Sequence, residues 1–70
     1  MRSNARLPKN LGNRIQKRRK TLNLTQEELA YKVGISRAYI GYIEQGRNIP
    51  SLELLQKIVN VLKIPLRELF

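Results

Sequence analysis

The sequence predicts an all-α domain of five short helices. Apolar residues recur at helical spacings of three, four and seven. Ser, Thr and Asn stand just before those runs, with Gly or Pro between them, and no stretch alternates apolar and polar residues as a half-buried strand would. At 70 residues the chain makes one small domain. Folding at that size removes only roughly 60% of the surface from water, so the core is thin.

Residues 1–9 (MRSNARLPK) have no periodicity and contain Pro8, and are expected to be a flexible basic arm ahead of a domain over residues 10–70. From Asn10 to about Asn23, Leu11, Ile15 and Leu22 fall on one side of a helix at ~100° per residue, with Asn10 as its expected N-cap. Thr25-Gln26-Glu27-Glu28 fits a capping box, in which the Thr hydroxyl accepts from the third amide and Glu28 reaches back. The helix it opens turns Leu29, Ala30 and Val33 inward and stops at Gly34, a residue suited to the left-handed conformation that ends many helices.

Only Ile35 separates that Gly from Ser36, the expected N-cap of a third helix running from Arg37 to Gln45 and ending at Gly46. Two short helices joined so tightly must cross steeply, which is the geometry of a helix-turn-helix. Arg47-Asn48-Ile49-Pro50 reads as a loop. Ser51 then caps a fourth helix to about Leu62, and Pro65 pre-sets a fifth that ends at Phe70. The fourth helix carries Leu52, Leu54, Leu55, Ile58, Val59, Val61 and Leu62 on one half-cylinder. A surface helix needs an apolar stripe only ~100° wide. This helix is therefore either central to the core or shared between the core and a second subunit.

Composition narrows the chemistry. Without Cys, His or Trp there are no disulfides, no thiolate or imidazole catalysis and no cysteine or histidine zinc site. Five glutamates are a poor stock for a metal or glycosidase site, so neither enzyme activity nor a cofactor or metal is expected. Fourteen Lys and Arg leave a net charge of +9, which on so short a chain points to a polyanionic partner, nucleic acid first. Residues 1–20 hold eight basic side chains and no acid, as a nucleic-acid arm would. No apolar run exceeds three residues, so no membrane span or export signal is read and a cytoplasmic location is expected.

On the third helix, Ile40 and Ile43 share one face with Tyr39 at its edge, while Arg37, Ala38, Gly41, Tyr42 and Gln45 share the other. That small mixed face fits a major groove about 12 Å wide. Arg37 suits a bidentate pair with guanine and Ala38 a thymine methyl. Gly41 would admit close backbone approach, and Tyr42 would donate to a base or phosphate or pack on a methyl. Gln26 and Ser36, at the starts of helices, place donors where a phosphate can sit, and Arg47 and Asn48 are further phosphate candidates. Tyr39 is either half-buried packing or a phosphate contact. Arg14, with Lys17 and Lys20, is either on the DNA side or on a solvated face. In the arm, Arg2, Arg6 and Lys9 would follow the backbone or enter the minor groove.

Leu24-Thr25-Gln26-Glu27-Glu28-Leu29-Ala30, Val33-Gly34-Ile35-Ser36-Arg37, Ile40, Ile43-Glu44-Gln45-Gly46-Arg47 and Pro50-Ser51-Leu52 together resemble the phage-repressor and Cro-type helix-turn-helix domain. The resemblance spans about residues 10–70, with the motifs in order and at the family's spacing. It implies a five-helix, lambda-repressor-like domain that binds operator DNA as a twofold dimer. The base-reading positions would be Arg37, Ala38, Gly41 and Tyr42, with Gln26 on a phosphate and a buried ion pair between Arg19 and Glu44. The run from Arg37 to Ser51 is most similar to short stand-alone regulators such as restriction–modification controller proteins. Departures from the family pattern are Gly41, where a polar residue is usual, Lys63, where Gly is frequent, and Arg18, where many relatives are apolar.

The function this implies is a transcriptional regulator that occupies a palindromic double-stranded operator as a homodimer, excluding or contacting RNA polymerase. Its dimer surface is expected at an exposed apolar end formed by Leu66, Leu69 and Phe70 with part of the fourth helix. The alternative is an antitoxin-like module that binds a toxin partner as well as DNA. Non-specific coating of DNA or RNA is disfavoured, because single-strand binders use stacking aromatics and only Tyr31, Tyr39, Tyr42 and Phe70 are aromatic.

Overall fold

A computed structural model describes residues 10–69, so the arm residues Arg2, Arg6 and Lys9, and Phe70 at the other end, lie outside it. Among the described residues there are four α-helices, α1 (Leu11–Thr21), α2 (Gln26–Val33), α3 (Arg37–Glu44) and α4 (Leu52–Leu62), and a final 3₁₀ turn (Leu66–Leu69). There is no strand among them. The fifth helix expected after Pro65 is this 3₁₀ turn. Glu68 N–H bonds the Pro65 carbonyl three residues back at 3.0 Å, and so few residues cannot establish the four-residue ladder of an α-helix.

Local chemistry sets the helix ends. The Thr25 hydroxyl accepts from Glu28 N–H at 2.9 Å, and Thr25 N–H donates to Glu28 Oε1 at 2.8 Å. These two bonds complete the capping box at α2. Ser36 and Ser51 accept from the amides of Tyr39 and Leu54 at 3.1 Å each. Gly34 ends α2 at φ +90°, a conformation that glycine enters without a Cβ clash. Asn10 behaves otherwise than expected: it occupies the N-cap position of α1 with φ −102° and ψ 23°, and its side chain makes no cap hydrogen bond. An N-cap side chain reaches the third amide from extended backbone, which Asn10 does not have.

The core gathers one stripe from each helix: Leu11 and Ile15, Leu29, Ala30 and Val33, Ile40 and Ile43, and Leu55, Ile58, Val59 and Leu62. α4 is therefore central along that stripe. The rest of its apolar half-cylinder lies outside the core, with Leu54 and Val61 half-buried and Leu52 67% exposed. Leu69 is 1% exposed and belongs to the core. That corrects the expected exposed apolar end, because the 3₁₀ turn folds Leu69 inward and leaves Leu66 half-buried.

α1 and α3 approach more closely than side chains permit. A Cβ on Gly12 would lie 2.6 Å from the Glu44 carbonyl oxygen and closer still to that of Ile43. At the other end of the fold, Arg18 Nε donates to the Leu62 carbonyl at 2.9 Å and its Nη2 to that of Lys63 at 3.4 Å. These bonds satisfy two of the carbonyls a helix end leaves without partners. No helix of the described residues is long and apolar enough to cross a membrane.

Candidate nucleic-acid interface

α2 and α3 are joined by Gly34-Ile35-Ser36 alone. Burial of Ile40 and Ile43 turns Arg37, Ala38 and Tyr42 outward, with Tyr42 44% exposed. The N-terminal residue of α2, Gln26, reaches across to this face. Its Oε1 accepts from Arg37 Nη1 at 3.3 Å, and its Nε2 donates to Glu44 Oε1 at 3.0 Å.

Glu44 is held from three sides. Arg19 Nε donates to its Oε2 at 2.7 Å and Arg19 Nη2 to its Oε1 at 3.1 Å, with the two side chains 7% and 1% exposed. Arg19 Nη1 completes the guanidinium's bonding on the Leu24 carbonyl at 2.7 Å. Gln16 Nε2 adds a contact to Glu44 Oε1 at 3.3 Å. Arg19, Glu44, Gln26 and Arg37 thus form one continuous chain of polar contacts from the core to the surface. A buried charge pair persists only when its remaining polar valences are met, and here Leu24, Gln16 and Gln26 meet them.

Gly41 is buried, so it does not share the exposed face with Arg37, Ala38 and Tyr42. The Gln26 carboxamide lies over it, 3.8 Å from where a Cβ would stand. Gln26 thus covers the position where direct backbone approach to a base is expected, while leaving room for a Cβ. Ser36 spends its hydroxyl as an acceptor on the Tyr39 amide. Tyr39 is half-buried against the core.

Beyond α3, Arg47 lies over the Tyr42 ring with 5.5 Å from guanidinium to centroid, a cation–π contact. Its amide bonds the Tyr42 carbonyl at 2.8 Å, and that of exposed Asn48 does so at 3.4 Å. Arg47 and Asn48 are thus held at the end of the α3 face. Arg14 is placed elsewhere: it lines a groove between α1 and the C-terminal segment with Lys17, Arg18, Thr21, Ile64 and Glu68. On α1 it stands roughly 160° round from Gln16, the residue that faces Glu44, so it is not grouped with Gln26 and Arg37.

Sequence reasoning missed Gln16 and Gly12. Gln16 stands one turn before Arg19, a spacing that puts both on one side of α1. Nothing in the neighbours of Gly12 signals the carbonyls of α3 that lie against it.

A helix-turn-helix family model matches residues 15–69. The chain is 42% identical over 57 residues to an HTH-type transcriptional regulator of Archaeoglobus fulgidus, a match covering 81% of this chain and 80% of the relative. Its structure is similar to that of the restriction–modification controller protein C.AhdI from Aeromonas hydrophila, with a TM-score of 0.84 and 37% identity over 89% of this chain and 94% of the other. It is also similar to the P22 c2 repressor protein in complex with a synthetic operator, with a TM-score of 0.83 and 30% identity over 90% and 96% of the two chains.

Proposed function

The chain belongs to the helix-turn-helix family of DNA-binding transcriptional regulators, and from that premise we propose that it occupies a palindromic operator as a homodimer, with α3 in the major groove. The observation that carries this reading is the α3 face, where Arg37, Ala38 and Tyr42 stand outward while Gln26 ties Arg37 to the buried Glu44. Arg37 reads a guanine edge, Ala38 contacts a thymine methyl, and Tyr42 contacts a base edge or the backbone. Arg47 and Asn48 bind phosphate, as does the outer edge of the Gln26 amide. The arm cations Arg2, Arg6 and Lys9 extend the phosphate contacts along the duplex.

Dimerisation supplies the twofold symmetry. The apolar surface for it is the start of α4 and the loop before it, where Ile49 is 69% and Leu52 is 67% exposed. Regulation then follows from occupancy alone, through exclusion of polymerase or contact with it.

Sedimentation equilibrium together with DNA titration tests this reading. Dilution through the assembly range is expected to abolish tight operator binding. A chain that stays monomeric at every concentration and still binds a palindrome tightly would overturn the dimer.

A further inference from the structure

Between α2 and α4, beside the α1–α2 turn, the surface opens into a groove of about 450 Å³ lined by Leu22, Leu24, Lys32, Asn60, Val61 and Lys63. Its floor is apolar: Leu22, Leu24 and Val61 are half-buried, and Leu22 and Val61 pack against the core. Its rim is cationic. Lys32 and Lys63 are both exposed, and no carboxylate is among the lining residues.

The backbone at this rim is unusual. Lys63 ends α4 at φ +61°, in the left-handed region where a side chain is strained and glycine is not. Arg18 pins it there through the Leu62 and Lys63 carbonyls. A cation is therefore carried at a position where the bare backbone would fit better. No residue of α3 lines the groove. Lys32 stands six residues beyond Gln26, about 9 Å further along α2 at ~1.5 Å per residue, so an occupant leaves the α3 face free.

We propose that this groove docks an acidic segment of a partner protein, one or two of whose apolar side chains enter between Leu22, Leu24 and Val61 while flanking Asp or Glu residues meet Lys32 and Lys63. The volume falls in the range of about 300–1,000 Å³ that binding pockets occupy, and half of the lining residues are apolar. Complementary charge at the rim steers encounter and sets register. The phosphate backbone of a nucleic acid matches the rim but has nothing to place on the apolar floor. An acidic amphipathic segment matches both, and it can bind while α3 is on DNA.

The test is selection of a random 12-residue peptide library on the full chain bound to duplex DNA, with the winners measured by fluorescence anisotropy. Enriched peptides should combine acidic residues with one or two large apolar ones. The Lys32→Glu/Lys63→Glu variant should bind them at least tenfold more weakly, and Val61→Asn should weaken them without any change in charge. Arg37→Ala should leave them unaffected. Thermal melts of the variants establish that they fold, both lysines being on the surface. Winners without acidic residues, winners that bind the double variant equally well, or no enrichment would overturn the proposal. So would a double variant that loses duplex affinity as steeply as peptide affinity, because the groove would then belong to the DNA surface.

Discussion

The carboxamide of Gln26, the first residue of α2, donates to the carboxylate of Glu44, the last residue of α3, across 3.0 Å. The crossing of the two helices is thereby tied at both ends, by the Gly34-Ile35-Ser36 turn and by this bond. Because Glu44 is also paired with Arg19 of α1, the outward face of α3 is referenced to the core rather than to its own helix alone. The other end of the same amide holds Arg37. A surface arginine with many rotamers is thus restrained, and on the proposed reading less entropy would be lost when it meets a base.

Removing either partner of the buried pair strands the other charge. Glu44→Ala is expected to destabilise the fold by ~3–5 kcal/mol, measured by urea denaturation, and Arg19→Ala by a similar amount. The double variant should lose clearly less than the sum of the two. A Glu44→Ala melt that matches the parent would show that the pair contributes nothing.

Gly12→Ala places a methyl group against the Ile43 and Glu44 carbonyls, which are backbone and cannot swing aside. Overpacking of this kind costs about 1–3 kcal/mol or more. The variant should melt well below the parent even though alanine is the better helix former. Unchanged stability would mean that α1 and α3 stand further apart than described.

Gly41→Ala should have the opposite sign. Its Cβ would meet the Gln26 amide at 3.8–3.9 Å, an ordinary contact, and alanine in a helix interior is favoured over glycine by about 1 kcal/mol. A gain of ~0.5–1 kcal/mol is expected in thermal denaturation, with Arg37 still held. A loss would show that Gln26 cannot tolerate the methyl group.

Lys63→Gly relieves the left-handed strain at the end of α4. The gain of about 1–2 kcal/mol is partly offset by the larger backbone entropy of glycine in the unfolded chain. A net stabilisation of ~0.5–1 kcal/mol should appear as a higher melting temperature, while Lys63→Ala should change little. Equal effects of the two variants would place the strain elsewhere.

The sequence exposed what nearby residues decide. Thr25 and Glu28 are three apart and Gly34 and Ser36 are two apart, so cap and turn chemistry marks the boundaries of α2 and α3 directly. The inward faces at Leu29, Ala30, Val33, Ile40 and Ile43 follow from helical period. What stayed hidden depends on elements far apart in the chain. Gly12 is explained only by carbonyls more than thirty residues away, and Arg18 only by the end of α4. Gly41 reads as an open surface position until Gln26 is seen to cover it. Leu69 reads as an exposed end until a four-residue 3₁₀ turn brings it inward. The Arg19–Glu44 pair came from resemblance to a family, since its two residues stand 25 positions apart.

The most direct test of the central claim is selection from a random duplex library at ~150 mM salt, followed by the affinity of the winner against a scrambled duplex. Sequence-specific recognition by a dimer predicts a twofold-symmetric winner preferred by ~10³-fold or more. Arg37→Ala should then cost ~1–3 kcal/mol and relax the preference at one base pair of each half-site. Binding that falls steeply with added salt but enriches no sequence would contradict the account and leave the +9 charge as a coat for DNA of any sequence.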